Sequence, residues 1–249
     1  MIKLWHISDT HTYHSELVVP QGIDIVIFSG DCSNPQEVYK NEQEVRNFIT
    51  WFANLPIKYK VFCAGNHDVS IERGYITKDN FEQAGIIYLE NYSVEIDFNK
   101  GWQSLSGTPA IGSTVVPSKK LRIWGSPITP TFGIGWAFNK NRAKIGEVWS
   151  HIPDDTDIVI VHGPPKGVLD LSWTRENELQ MCGCESLRRR MREIKPKLVC
   201  FGHIHNCEGI TNFGIRKLDH DTIYSNGSMV TDGNFGKYFN NGNVIEIEC

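Results

Sequence analysis

The stretch "LVCFGHIH", Leu198 to His205, runs four apolar residues into a glycine and then sets two histidines one residue apart. A short, wholly apolar run reads as a strand covered on both faces, as in a sheet flanked by helices. In an extended chain residues i and i+2 share a side, so His203 and His205 are expected to face one space. Imidazoles aimed together suit a metal, although an isolated His-x-His also fits one core and one solvent-facing histidine. What the rest of the chain offers decides between the two.

The same pattern recurs four times. "WHISDTH" ends in Asp9 and His11, "IVIFSGD" in Asp31, "VFCAGNHD" in Asn66, His67 and Asp68, and "IVIVHGPP" carries His162. Five apolar strands thus finish in metal-binding or acid–base side chains, and ligands of α/β sheets gather at the carboxyl ends of strands. The donors are nitrogen and oxygen without thiolate, which suits Mn, Fe, Ni, Co or Zn as divalent ions. Seven candidate ligands exceed one tetrahedral site but fit two metals, with Asp31 as the natural bridging carboxylate. Gly30, Gly65 and Gly202, each just before a candidate ligand, remove a side chain where groups must approach closely.

Composition narrows the class. The chain of 249 residues is 40% apolar and 22% charged with seven tryptophans, enough for a sizeable core. A net charge of −4 argues against a general binder of long nucleic acid. The N-terminus enters a strand at once with no signal-like segment, and no apolar run reaches membrane-spanning length. Seven irregularly spaced cysteines fit reduced thiols and a cytoplasmic setting. Cys182 and Cys184 have no second cysteine pair to complete a zinc site.

No repeat or linker divides the chain, so residues 1–249 are expected to form one domain. Strands are expected at 2–7, 23–28, 60–64, 121–125, 157–162, 197–202, 222–226 and 243–248. "SNPQEVYKNEQEVRNFITWFANL" reads as a helix with Asn34 as N-cap, Pro35 at its first position and Val38, Val45, Phe48, Ile49, Phe52 and Leu55 along one face. "CESLRRRMREI" puts Leu187, Met191 and Ile194 on one stripe, and its arginines read as a solvated face. The stretch 86–135, rich in Gly, Pro, Ser and Thr, reads as strands and loops. The class is α/β, with helices outside a central pair of sheets.

In that order, Asp-x-His, Gly-Asp, Gly-Asn-His-Asp, His and Gly-His-x-His resemble the calcineurin-like metallophosphoesterase superfamily, over residues 9–205. "GNHD", "FGIGWAFN", "VHGPP" and "KPKL" are similar to the metallophosphoesterase-domain proteins within it, whose motif set resembles that of class III cyclic-nucleotide phosphodiesterases. The resemblance implies a four-layer α/β/β/α sandwich of two mixed sheets flanked by helices. It implies Asp9, His11, Asp31 and His205 around one divalent metal, and Asp31, Asn66, His162 and His203 around a second. The pair would activate a bridging hydroxide for attack at phosphorus. His67 is the candidate to assist the leaving group, and Asp68 either orients His67 or is a turn residue.

Departures from the pattern bear on substrate. Phosphoprotein phosphatases of the superfamily follow Gly-Asp with an Asp-Arg-Gly block, whereas "CSNPQ" follows Asp31 here. The intact His67 and Gly-His-x-His set favours a phosphodiesterase acting on a small nucleotide, such as a 2′,3′- or 3′,5′-cyclic one. Nuclease, phosphomonoesterase and non-enzymatic scaffold are the alternatives. Trp136, Phe138, Asn139 and Arg142 are candidate substrate contacts, the aromatics as stacking faces and the arginine as a phosphate grip, with core packing as the competing reading for the rings. His6, His151 and His220 show no partner pattern, and His14 lies near the site without a clear role.

Overall fold

The computed structural model describes residues 1–34, 37–105, 119–174, 176–232, 237 and 240–248. The chain begins with β1 (Ile2–Ile7), β2 (Ile25–Phe28), α1 (Val38–Ala53) and β3 (Tyr59–Phe62). Two short helices, α2 (Val69–Glu72) and α3 (Lys78–Gln83), precede β4 (Ile87–Tyr88), β5 (Tyr92–Asp97), β6 (Gly101–Leu105) and β7 (Lys120–Ser126). A small pair, β8 (Thr129–Pro130) and β9 (Asn139–Lys140), leads to α4 (Gly146–Trp149) and β10 (Ile158–Val161). The hairpin β11 (Leu171–Trp173) and β12 (Leu179–Met181) is followed by α5 (Glu185–Ile194) and β13 (Leu198–Phe201). The last strands are β14 (Gly214–Leu218), β15 (Thr222–Asn226) and β16 (Asn243–Ile247).

Two mixed sheets form the centre. The first has the order β16-β1-β2-β3-β4, with β1 to β4 parallel and β16 antiparallel. The second has the order β14-β15-β13-β10-β7-β5-β6, with β15, β13, β10 and β7 parallel.

Side-chain alternation shows the layering. In β2, Ile25 and Ile27 join the core between the sheets, while Val26 and Phe28 join the core under α1. In β10, Ile158 and Ile160 face the intersheet core, while Val159 and Val161 pack with α4 and α5. Period-two alternation with both faces apolar requires a cover on each side, so the layers run α/β/β/α. Each such side chain, buried fully, stabilises the fold by about 1.5–3 kcal/mol.

The strand expectations fall within about two residues of the observed elements, and among the described residues 86–135 hold strands and loops without helix. The first helix differs from expectation. It begins at Val38, and the cap is Glu37, whose carboxylate accepts from the N–H groups of Tyr39 (3.0 Å) and Lys40 (3.1 Å). Asn34 is not the cap because its side chain is spent elsewhere, donating to the His11 carbonyl at 3.3 Å. Pro35 lies outside the described residues.

His6, without a visible role in the sequence, is a seam between the sheets. Fully buried on β1, it meets Ser225 Oγ of β15 at 2.7 Å through Nδ1 and Ser29 Oγ at 2.9 Å through Nε2. Burial pushes its pKa down to about 3, against a smaller upward pull from Asp9, so it is neutral.

Candidate metal centre

The strands that carry the candidate ligands are parallel within each sheet, so their carboxyl ends lie on one edge. There three sets of donors come together among the described residues: Asp9, His11 and His205; His11, Asp31 and His67; and Asp31, His162 and His203, with the donor atoms of each set within 4.8 Å of one another. Asp31 and His11 each belong to two sets. His205 Nε2 is 3.1 Å from Asp9 Oδ1, and His162 Nε2 is 3.1 Å from Asp31 Oδ2. Asn66 Oδ1 lies 2.9 Å from His162 Nε2, so the amide joins the set of Asp31, His162 and His203.

His203 and His205 do go to different sets, but not as a strand would send them. His203 has φ 67°, and Asp9, His11 and Asp31 have φ 51°, 40° and 60°. Left-handed backbone disfavours L-residues by roughly 1–2 kcal/mol each, and such strain concentrates at functional sites. The glycines make room for the ligand side chains. A Cβ on Gly202 would stand 1.9 Å from Asp9 Oδ2, one on Gly65 2.3 Å from Asp31 Oδ1, and one on Gly30 2.3 Å from His162 Nδ1.

The donor chemistry fits divalent cations. His11 Nδ1 faces the Ser33 carbonyl at 3.2 Å, His67 Nδ1 the Asn34 carbonyl at 3.0 Å, and His162 Nδ1 the Ser29 carbonyl at 2.9 Å. A carbonyl only accepts, so each Nδ1 carries hydrogen and each Nε2 is turned inward, free of hydrogen in neutral His11 and protonated toward Asp31 in His162. His205 Nδ1 is held by Asp232 at 2.9 Å. Such outer partners are the usual support of metal-binding imidazoles. The buried Nε2 of His11 has no hydrogen-bond partner among the described residues.

Charge points the same way. Burial alone would raise the Asp9 carboxyl, but His205 beside it holds it well below the usual carboxylate range. Burial likewise opposes ionisation of Asp31, and the charge of His162 outweighs it. Burial lowers His205 while Asp232 and Asp9 raise it more; burial lowers His162 while Asp31 raises it more. Burial pushes His203 down to about 3 and His11 to about 4. Two buried carboxylates therefore keep their charge by drawing positive charge to their neighbours, the environment a cation would occupy.

His67 belongs to the set with His11 and Asp31, its Nε2 3.8 Å from Asp31 Oδ2. Its ring sits between His11 (4.7 Å) and Trp136 (4.6 Å). Asp68 does not touch that ring. Its buried carboxylate accepts from the N–H groups of Gly65 (2.8 Å), Asp31 (3.0 Å) and Cys32 (3.1 Å), and from Ser33 Oγ (2.8 Å). The expected role of orienting His67 is thus corrected: Asp68 ties the loop bearing Asp31 to the loop bearing Asn66.

Of the expected substrate contacts only Trp136 reaches the centre. Phe138 is 5% exposed and belongs to the core under α1. Asn139 donates to Thr129 Oγ1 (3.1 Å) and the Ala137 carbonyl (2.9 Å). Arg142 donates to the carbonyls of Gly183 (3.1 Å) and Cys182 (2.9 Å). In place of Phe138 stands Phe132, 47% exposed, its ring 4.9 Å from His203 and 5.6 Å from Trp136. No signal in the sequence separated the two rings: Phe132 precedes Gly133 outside any strand or helix, and Phe138 lies in a turn with φ 54°. Ser228, which donates to Asp9 Oδ2 at 2.8 Å, and Asp232 had no signal in the sequence. His14 packs against Phe48 and Trp51 and bonds Asn47 at 2.7 Å. Three arginines of α5 are in ion pairs, Arg188 and Arg192 with Asp219 and Arg190 with Asp154.

Comparison with known proteins adds a family. The model of the calcineurin-like phosphoesterases matches residues 2–207. Metallophosphoesterase domain-containing protein 1 of Homo sapiens is 33% identical over 90% of this chain and 65% of its own length, and the protein of that name from Mus musculus gives the same figures. The chain therefore spans about 65% of the length of these relatives. A probable rhamnogalacturonate lyase C of Emericella nidulans is 33% identical over 84% of this chain, which is 18% of that longer protein. A solved crystal structure with 12% identity superposes with a TM-score of 0.54 over 90% of this chain and 89% of that one, a likeness of fold.

Proposed function

The chain belongs to the calcineurin-like phosphoesterase family, and from that premise we propose that it is a metal-dependent hydrolase of small phosphodiesters, with a nucleotide, such as a 2′,3′- or 3′,5′-cyclic one, as substrate. The observation that carries the reading is Asp31, a buried carboxylate shared by two donor sets in which His11, His67 and His162 turn Nε2 inward. Asp9, His11, Asp31 and His205 would hold one divalent ion, and Asp31, Asn66, His162 and His203 a second. Bound there, the ions would supply Lewis-acid charge to phosphoryl oxygens and acidify a water.

The chain's own residues supply the rest. Nδ1 of His67 keeps its hydrogen on the Asn34 carbonyl, so the imidazolium form would pass its Nε2 proton to the departing oxygen and return to the neutral Nδ1–H tautomer. Trp136 covers one face of that imidazole and limits its exchange with water. Phe132 and Trp136 together offer aromatic faces to a base or aryl group. Six free cysteines among the described residues favour a reducing, cytoplasmic setting, and no helix among those residues is long and apolar enough to cross a membrane.

The test compares bis(4-nitrophenyl) phosphate with 4-nitrophenyl phosphate in Mn²⁺, then in EDTA, and continues with 2′,3′- and 3′,5′-cyclic nucleotides. The diester is expected to turn over at least about tenfold faster than the monoester, a difference of some 1.4 kcal/mol in barrier. Faster monoester turnover would overturn the diester assignment. Silence with Mn, Fe, Ni, Co and Zn alike would leave a metal-binding scaffold. Phe132→Ala is expected to raise KM for the best cyclic nucleotide about fivefold, the stacking share of one ring.

A further inference from the structure

Asn34 lies between α1 and the centre, and three of its polar groups are engaged. Its N–H donates to Glu44 Oε2 at 2.7 Å, its Nδ2 to the His11 carbonyl at 3.3 Å, and its carbonyl accepts from His67 Nδ1 at 3.0 Å. The peptide joining Ser33 to Asn34 is used at both ends. Its N–H meets the Glu44 carboxylate, and its carbonyl accepts from His11 Nδ1 at 3.2 Å. Glu44 touches neither imidazole, yet one residue separates it from both.

Glu44 sits mid-helix in α1, too far from the start to cap it. It is half-buried, and its carboxylate reaches back over ten residues to the loop that follows Asp31. A carboxylate that accepts from a peptide N–H draws electron density toward the carbonyl oxygen of the same peptide, and hydrogen bonds in series strengthen one another by about 10–30%. The Ser33 carbonyl thereby becomes a better acceptor for His11 Nδ1–H, which raises the basicity of the inward Nε2. On its other side, Asn34 is fixed at its N–H and its side chain, so its carbonyl cannot swing away from His67.

We propose that Glu44 is a positioning residue that acts through Asn34 and the Ser33–Asn34 peptide to hold His11 and His67 in their Nδ1–H tautomers with both Nε2 atoms directed into the centre. The kinetic consequence rests on the hydrolytic reading above; the tautomers do not.

The test uses the full chain with ¹⁵N-labelled histidine. In metal-free protein, long-range ¹H–¹⁵N spectra are expected to show single Nδ1–H tautomers for His11 and His67. Glu44→Ala is expected to mix the tautomers. Glu44→Gln, whose amide oxygen can still accept from Asn34, is expected to keep them. Alanine favours helix, so α1 is preserved, and Glu44→Met replaces Glu44→Ala should that variant not fold. With Mn²⁺, Glu44→Ala is expected to lower kcat by about 10–100-fold with KM within about twofold, the size usual for lost outer support of a site histidine. The loss should be larger on diphenyl phosphate, whose phenol departs less readily, than on bis(4-nitrophenyl) phosphate, and Glu44→Gln should recover most of it. Native tautomers retained in Glu44→Ala would overturn the proposal, as would an equal loss on both diesters. If the native protein hydrolysed neither diester, the hydrolytic reading would fall and the spectra alone would decide this one.

Discussion

The two sheets contribute unequally to the centre. The first, through the ends of β1, β2 and β3, supplies both carboxylates of the donor sets, Asp9 and Asp31, together with His11, Asn66 and His67. The second, through β10 and β13, supplies imidazoles alone: His162, His203 and His205. Each carboxylate is paired across the gap, Asp9 with His205 and Asp31 with His162, both at 3.1 Å. Neither sheet alone balances charge at its own edge. The centre is therefore a property of the packing between sheets, and the apolar core between them sets its dimensions.

The strongest way to break this division is to remove the shared carboxylate. Asp31→Ala strips the negative charge from two donor sets and leaves His162 without its counter-ion, a loss of about 3–5 kcal/mol for a buried pair. Turnover should fall by two to four orders of magnitude. The native protein should gain about 2.7 kcal/mol of stability from Mn²⁺ at a hundredfold excess over Kd, and the variant nearly none. Thermal melts with and without the ion check this; an undiminished Mn²⁺ shift in Asp31→Ala would show that the sheets do not share a centre through that residue.

His67→Ala separates chemistry from metal holding on the same sheet. Removing a proton donor lowers kcat by about 10²–10⁴-fold, while the Mn²⁺-dependent melting shift should persist. Loss of that shift would make His67 a ligand instead.

Gly202→Ala probes the second sheet's approach to the first. The new Cβ would meet Asp9 Oδ2 at 1.9 Å and Ser8 Oγ at 2.2 Å, and overpacking of this kind costs about 1–3 kcal/mol. Urea unfolding measures it. An unchanged midpoint would mean that the loop after β13 yields without strain.

The smallest expected effect is at the seam. His6→Gln loses buried hydrogen bonds, worth about 1–2 kcal/mol in a mutational comparison near neutral pH. The folded pKa of His6 is lowered to about 3, below its unfolded value near 6.5. The unfolded chain thus binds the extra proton first as pH falls, so the stability His6 contributes is complete above about pH 6.5 and is lost as pH drops toward 3. The gap between native and variant should narrow over that window in metal-free protein. A gap constant from pH 7 to 4 would show that His6 does not stay neutral.

Much of the site was readable because each ligand follows an apolar run, and strand ends are local features. Asp9, His11, Asp31, Asn66, His162, His203 and His205 were all legible on that ground. The Asn34 cap was misread because its side chain is recruited by the centre, and a tertiary contact outweighs a local preference of about 1 kcal/mol. Phe138 and Phe132 have the same chemistry six residues apart, and only packing sends one into the core and the other to His203.

By itself the sequence determined which polar side chains follow the apolar runs, their order along the chain and the placing of helices outside a pair of sheets, because apolar periodicity and residue chemistry act over a few neighbours. Only the tertiary structure decided which carboxylate meets which imidazole, that Asp68 braces loops rather than His67, and that His6 joins the sheets. Those are contacts between residues far apart in the chain, and no local preference specifies the partner.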